Sequence, residues 1–258
     1  MKIINTHSHC NTLKEISAPD VIEQLVDDDI VAVVPSSNPV DMFEVSEFIK
    51  QSDNLWGYVG VFPEEVKSFS DKTLSDMEGL IKSNPKIIGI GEVGLDYYWD
   101  KTYIELQKEV FIKQIEFANQ MNLPLNIHCR DAHFDTLEIL KKYNKNSTAI
   151  LHCYSGSWEF AKECIKEGIY ISIGGIVTFK NAKKIKEVAQ KLPLEYLLLE
   201  TDDPYLTPTP YRGKENRPIY VKYVAQEIAS IRKISFEEIC ETTVKNTLNI
   251  FPQIKASI

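Results

Sequence analysis

Eight short runs of near-continuous Val, Ile and Leu punctuate this chain, at residues 3–6, 30–35, 55–62, 87–93, 123–128, 148–152, 169–173 and 196–200. None shows the polar alternation of a strand with one face in water, so both faces of each strand must be covered, as in a parallel sheet wrapped by helices. Helical patterns lie between the runs. The clearest spans residues 103–121, where Tyr103, Leu106, Val110, Phe117 and Met121 recur on one face. Helix starts are marked by Ser157, Asp71 and Ser235, each ahead of a helix-forming stretch. Eight strand–helix repeats predict an α/β fold, a TIM-type (β/α)8 barrel forming a single domain over residues 1–258, with its active site at the carboxyl ends of the strands. A doubly wound open sheet shares the alternation but would spread strand-end residues along a crevice instead of around a mouth.

The net charge of −8 disfavours a protein that coats duplex nucleic acid with a broad basic face. It leaves room for a phosphate substrate held by metal ions and a few local cations. No apolar run approaches the roughly 20 residues needed to cross a bilayer, and the first residues offer no signal-peptide core, so no membrane association and a cytoplasmic location are expected. Five cysteines with no CxxC pair argue against a disulfide framework. Cys10, Cys129 and Cys153 each follow a histidine, so strand alternation predicts that they point away from the barrel axis into apolar packing.

The histidines themselves fall at strand ends. His7 and His9, two apart, can face the same way and grip one divalent ion, although such a pair alone is weak evidence. Glu92 interrupts a buried run between glycines, Asp202 closes the last run, and His128 and His152 end two others. Two carboxylates in one mouth repel by about 4 kcal/mol at a separation of about 4 Å and an effective dielectric of about 20, so a cation between them is expected. Six inward N and O donors are too many for one tetrahedral zinc with an open position and suit two adjacent divalent ions. Mixed His and carboxylate donors suit Zn, Mn, Ni or Co, and Mg where carboxylates and water dominate. Glu200, deeper than Asp202 on the same face, reads as support for the ligands.

Five ordered motifs then stand out beyond Thr6-His7-Ser8-His9: Gly91-Glu92-Val93-Gly94-Leu95-Asp96-Tyr97-Tyr98, Ile127-His128-Cys129-Arg130-Asp131-Ala132, His152-Cys153-Tyr154-Ser155-Gly156, Glu200-Thr201-Asp202 and Arg212-Gly213-Lys214-Glu215-Asn216. With them the chain resembles, nearly end to end, the TatD family of metal-dependent deoxyribonucleases. The resemblance implies that His7, His9, Glu92, His128, His152 and Asp202 bind the metals, with Glu92 bridging, and that the activity is hydrolysis of DNA phosphodiesters, as a 3'-to-5' exonuclease. Two positions depart from the family pattern: Asn5 stands where Asp is usual, removing a charge beside His7, and Arg217 stands where Glu is common.

Activation of water between two metals is the expected chemistry, with Glu92 and Asp202 as catalytic carboxylates and Asp202 as proton acceptor. Arg130, Arg212 and Lys214 fall on loops beyond strand ends, where they can hold phosphate oxygens of DNA ends or single-stranded DNA. Tyr97, Tyr98 and Trp99 can stack on an unpaired base. The same barrel could instead cleave an ester or amide, such as an aminoacyl ester on tRNA, or hold metal without turnover.

Overall fold

The computed structural model describes residues 1–257, and in them the apolar runs become eight parallel strands. These are β1 (Ile3–Asn5), β2 (Ile30–Pro35), β3 (Leu55–Val59), β4 (Ile87–Asp96), β5 (Leu125–Arg130), β6 (Ala149–Leu151), β7 (Tyr170–Ile173) and β8 (Leu197–Leu199), hydrogen-bonded in chain order. Between them run α1 (Ala18–Asp27), α2 (Asp41–Phe48), α3 (Asp71–Ser83), α4 (Ile104–Met121), α5 (His133–Tyr143), α6 (Trp158–Lys166) and α7 (Lys183–Lys191), with α8 (Val221–Arg232) and α9 (Phe236–Ile250) after β8. Last meets first at a short seam. Thr6 N–H donates to Leu199 O at 2.9 Å and Asp202 N–H to His7 O at 3.1 Å, closing the sheet into a TIM-type barrel.

Two apolar layers explain why the runs lack polar alternation. Ile4, Val31, Val33, Trp56, Tyr58, Ile88, Ile150 and Leu198 fill the barrel interior, which Ile250, Phe251 and Ile254 plug from the end of the chain. Their neighbours Ile3, Ala32, Val34, Val59, Ile127 and Leu199 face the helices. Each strand is thus buried on both sides. Among the described residues no helix is long and apolar enough to cross a membrane.

The buried face of α4 differs from the expected one. It carries Gln107, Val110, Phe111, Gln114, Ile115, Phe117 and Ala118, while Tyr103, Leu106 and Met121 are only half-buried. The two glutamines escape a hydrophobicity pattern because their amides serve the backbone. Gln107 accepts from Asp96 N–H (2.9 Å) and donates to Asp96 O (3.0 Å), and Gln114 makes the same pair with Val61 (2.8 and 3.1 Å). They fasten the chain where β3 and β4 leave the ladder, immediately below the site. Ser157 and Ser235 cap α6 and α9 as expected, but Asp71 is the first residue of α3 and its cap is Ser70, which forms a capping box with Thr73.

Candidate metal centre

Glu92 owes its inward position to an irregularity in β4. Ile90 pairs with Leu125 and Val93 with Ile127, so β4 spends three steps where β5 spends two. The extra residue turns Glu92 toward the axis, and its N–H finds Ser36 O at 3.0 Å. Glycine permits the kink: a Cβ on Gly91 would lie 2.8 Å from Asn126 Cβ, and one on Gly94, at φ +140°, would lie 2.0 Å from His128 O.

Strand alternation alone does not aim His7. Ile4 faces the interior, so a regular strand would turn residue 7 outward. β1 instead ends at Asn5, whose side-chain oxygen lies 3.4 Å from the His7 N–H, and the chain turns there. Asn5 otherwise staples the seam, donating to Thr201 Oγ1 at 2.7 Å. It does not touch the His7 ring. That role belongs to Asn126 Oδ1, 2.7 Å from His7 Nδ1; a carbonyl oxygen only accepts, so Nδ1 holds a proton and Nε2 is the nitrogen turned toward the cluster.

All six expected donors converge. His7 Nε2 and His9 Nε2 face each other at 3.1 Å, with Glu92 Oε2 at 3.5 and 3.4 Å and Asp202 Oδ1 at 3.6 and 3.8 Å respectively. The other oxygen of the same carboxylate, Glu92 Oε1, lies 3.0 Å from His128 Nδ1 and 2.8 Å from His152 Nε2. His7, Glu92 and His152, and likewise His7, His9 and Asp202, bring ligand atoms within 4.8 Å of one another. The fit to a cation shows in what the protein leaves unmade. His152 Nε2 is buried without a well-directed hydrogen bond although Glu92 Oε1 lies beside it, and the Nε2 atoms of His7 and His9 crowd to 3.1 Å, an arrangement that a shared cation would relieve.

The buried carboxylates and imidazoles shift one another's pKa values. Burial alone would lower the His7 pKa, but the charges of Glu92, Asp202 and Glu200 outweigh it and push the ring up to about 10. His128, also opposed by burial, is raised to about 9 by hydrogen bonds to Asp96 and Glu92. His152 goes the other way, to about 4, through burial and the charge of His7, on whose ring it stacks at 3.8 Å. Burial would raise Glu92, yet the surrounding imidazoles hold it well below the usual carboxylate range.

Sequence reasoning missed two supporting residues. Asp96 Oδ2 lies 2.9 Å from His128 Nε2, and Asn126 orients His7. Both sit on strands already read as apolar runs or motifs, with no signal for a partner before the register is known. Glu200 is fully buried and accepts from Cys153 N–H, in keeping with a supporting role. Cys153 corrects an expectation. β6 ends at Leu151 and Cys153 adopts φ 43°, so alternation fails; burial together with Asp202 and Glu200 keeps its thiol well above the usual range. Tyr97 turns away from the mouth, its hydroxyl 2.8 Å from Asp135 Oδ2.

At the rim, the Arg130 guanidinium lies 3.8 Å from the Tyr98 ring and that of Arg212 lies 3.7 Å from Phe179. Lys214 is exposed on the loop after β8. That loop is anchored by Asn216, which donates to Thr201 O (2.9 Å) and Tyr205 O (2.6 Å), while Glu215 accepts from Lys14 N–H and Glu15 N–H at 2.8 and 2.9 Å. The backbone N–H of Arg217 bonds the Asn216 side chain at 2.9 Å.

Comparisons with known proteins bear on the family and the fold. A family model described as TatD related DNase matches residues 4–252. The metal-dependent hydrolase YabD of Bacillus subtilis is 41% identical over 253 residues, covering 96% of this chain and 98% of that one. YcfH of Escherichia coli, also called a metal-dependent hydrolase, is 32% identical over 97% of this chain and 96% of its own. The crystal structure of YJJV, a TatD homologue from Escherichia coli, superposes with a TM-score of 0.91 at 27% identity, covering 97% of this chain and 98% of that one. The chain therefore belongs to the TatD family of metal-dependent hydrolases.

Proposed function

We propose that this protein hydrolyses DNA phosphodiester bonds with two divalent ions, working from a free end as a 3'-to-5' exonuclease. The observation that carries the reading is the division of the Glu92 carboxylate, one oxygen toward His7 and His9 and the other toward His128 and His152. His7, His9, Glu92 and Asp202 would hold one ion, and Glu92, His128 and His152 a second. When bound, such ions polarise a phosphate and make a neighbouring water more acidic. Asp202 stands on the open side of the cluster with its side chain 18% exposed, where it can accept a proton. Arg130, Arg212 and Lys214 line the rim as phosphate-holding cations. The name DNase carried by the matching family model supports this substrate class.

The test is incubation of purified protein, with Mg or Mn, with end-labelled single-stranded DNA, duplex DNA, RNA and closed circular DNA. Stepwise shortening from one end, lost in Glu92→Ala and Asp202→Ala, is the expected result. Equal attack on closed circles would replace the exonuclease reading with an endonuclease. Inertness toward all four, with release of amino acid from aminoacyl-tRNA, would move the same centre to ester chemistry.

A further inference from the structure

We infer that Tyr98, Trp99 and Arg130 form a stacking platform for an unpaired base beside the scissile phosphate, and that Asp96 fixes this platform to the metal centre. The inference rests on the nuclease reading and narrows its substrate to a single-stranded end.

Asp96 divides its carboxylate between the two features. Oδ2 lies 2.9 Å from His128 Nε2, while Oδ1 accepts from Tyr98 N–H at 2.8 Å and Trp99 N–H at 3.3 Å. The backbone carrying both aromatic rings therefore shares one side chain with a histidine of the centre. Arg130 is the ladder partner of Asp96 on β5, and its guanidinium lies 3.8 Å from the centre of Tyr98 and 5.3 Å from Trp99. The two rings meet edge to face at 4.7 Å, so they do not cover one another.

These rings stay in water. Tyr98 is 51% and Trp99 62% exposed. The placement is not scattered: of the described exposed aromatics, Tyr98, Trp99, Phe134 and Tyr205 all follow strand ends on the mouth side, with Phe43 the exception. Concentrated exposed apolar surface marks a binding face. Planar rings beside a guanidinium suit a nucleobase, whose flat face stacks and whose phosphate meets the cation. A base inside a duplex already has both faces covered by its neighbours, which favours an unpaired end.

The experiment compares wild type, Trp99→Ala, Tyr98→Ala and Trp99→Phe on a short single-stranded oligothymidylate and on bis(para-nitrophenyl) phosphate, which has no base. Loss of one stacking ring should weaken the Kd of the oligonucleotide about tenfold, lower its kcat/KM relative to the small diester by about the same factor, and leave metal content unchanged. Trp99→Phe should recover most of the loss. An unchanged Kd in both alanine variants, or equal losses on the two substrates, would overturn the platform. If the wild type hydrolyses neither substrate the nuclease reading fails, yet a tenfold weaker Kd in Trp99→Ala would still support the platform.

Discussion

At His128 two carboxylates decide which ring nitrogen keeps its proton. Asp96 accepts from Nε2, which frees Nδ1 for whatever lies beside Glu92. An amide at position 96 can instead donate to Nε2 and drive the proton onto Nδ1. Asp96→Asn should therefore weaken metal affinity about 10- to 100-fold with the fold intact, as measured by metal titration and circular dichroism; wild-type affinity would show that Asp96 does not set the tautomer. A pH dependence belongs to the same rings. With His7 raised to about 10 and His128 to about 9, both hold protons at neutral pH and must release them to bind metal. Affinity should thus rise with pH from 7 toward 9, and calorimetry in buffers of different ionisation heat should show proton release. Binding that is flat in pH would contradict this protonation pattern. The six candidate donors that the structure brings together were legible because polar residues ending apolar runs are conspicuous. Asp96 and Asn126 were not, since a partner across the sheet depends on a register that the bulge in β4 shifts by one residue.

Among the elements, the strands were the most readable part. Burial on both faces leaves few polar residues in a strand interior, and a run of Val, Ile and Leu has few other homes. Helix α4 shows the limit of periodicity. Its two buried glutamines look like surface residues in a hydrophobic pattern, and only their bonds to Asp96 and Val61 explain them. Replacing Gln114 by Leu should leave the Val61 N–H and C=O unpaired and cost about 1–3 kcal/mol, read by urea unfolding. Gln107→Leu should cost as much and in addition lower metal affinity, because it loosens the backbone of Asp96. Equal metal affinity in the two variants would mean that the clamp on Asp96 serves stability alone. The Cys153 correction is of the same kind: alternation holds only while the ladder continues, and β6 stops at Leu151.

For the whole molecule, the apolar filling of the barrel and the layer beneath the helices stand apart from the candidate metal centre. Chelation with EDTA should abolish activity while far-ultraviolet circular dichroism stays native-like, unlike a zinc finger. Cooperative loss of secondary structure would make the metals structural. The seam between β8 and β1 reaches further, into the life of the chain during synthesis. His7 and His9 emerge early, but Asp202 and the strand that closes against Thr6 come roughly two hundred residues later. A ribosome-bound fragment lacking β8 has neither a closed wall nor a full set of donors, so the complete centre can form only after Asp202 is made, about four-fifths of the way along the chain.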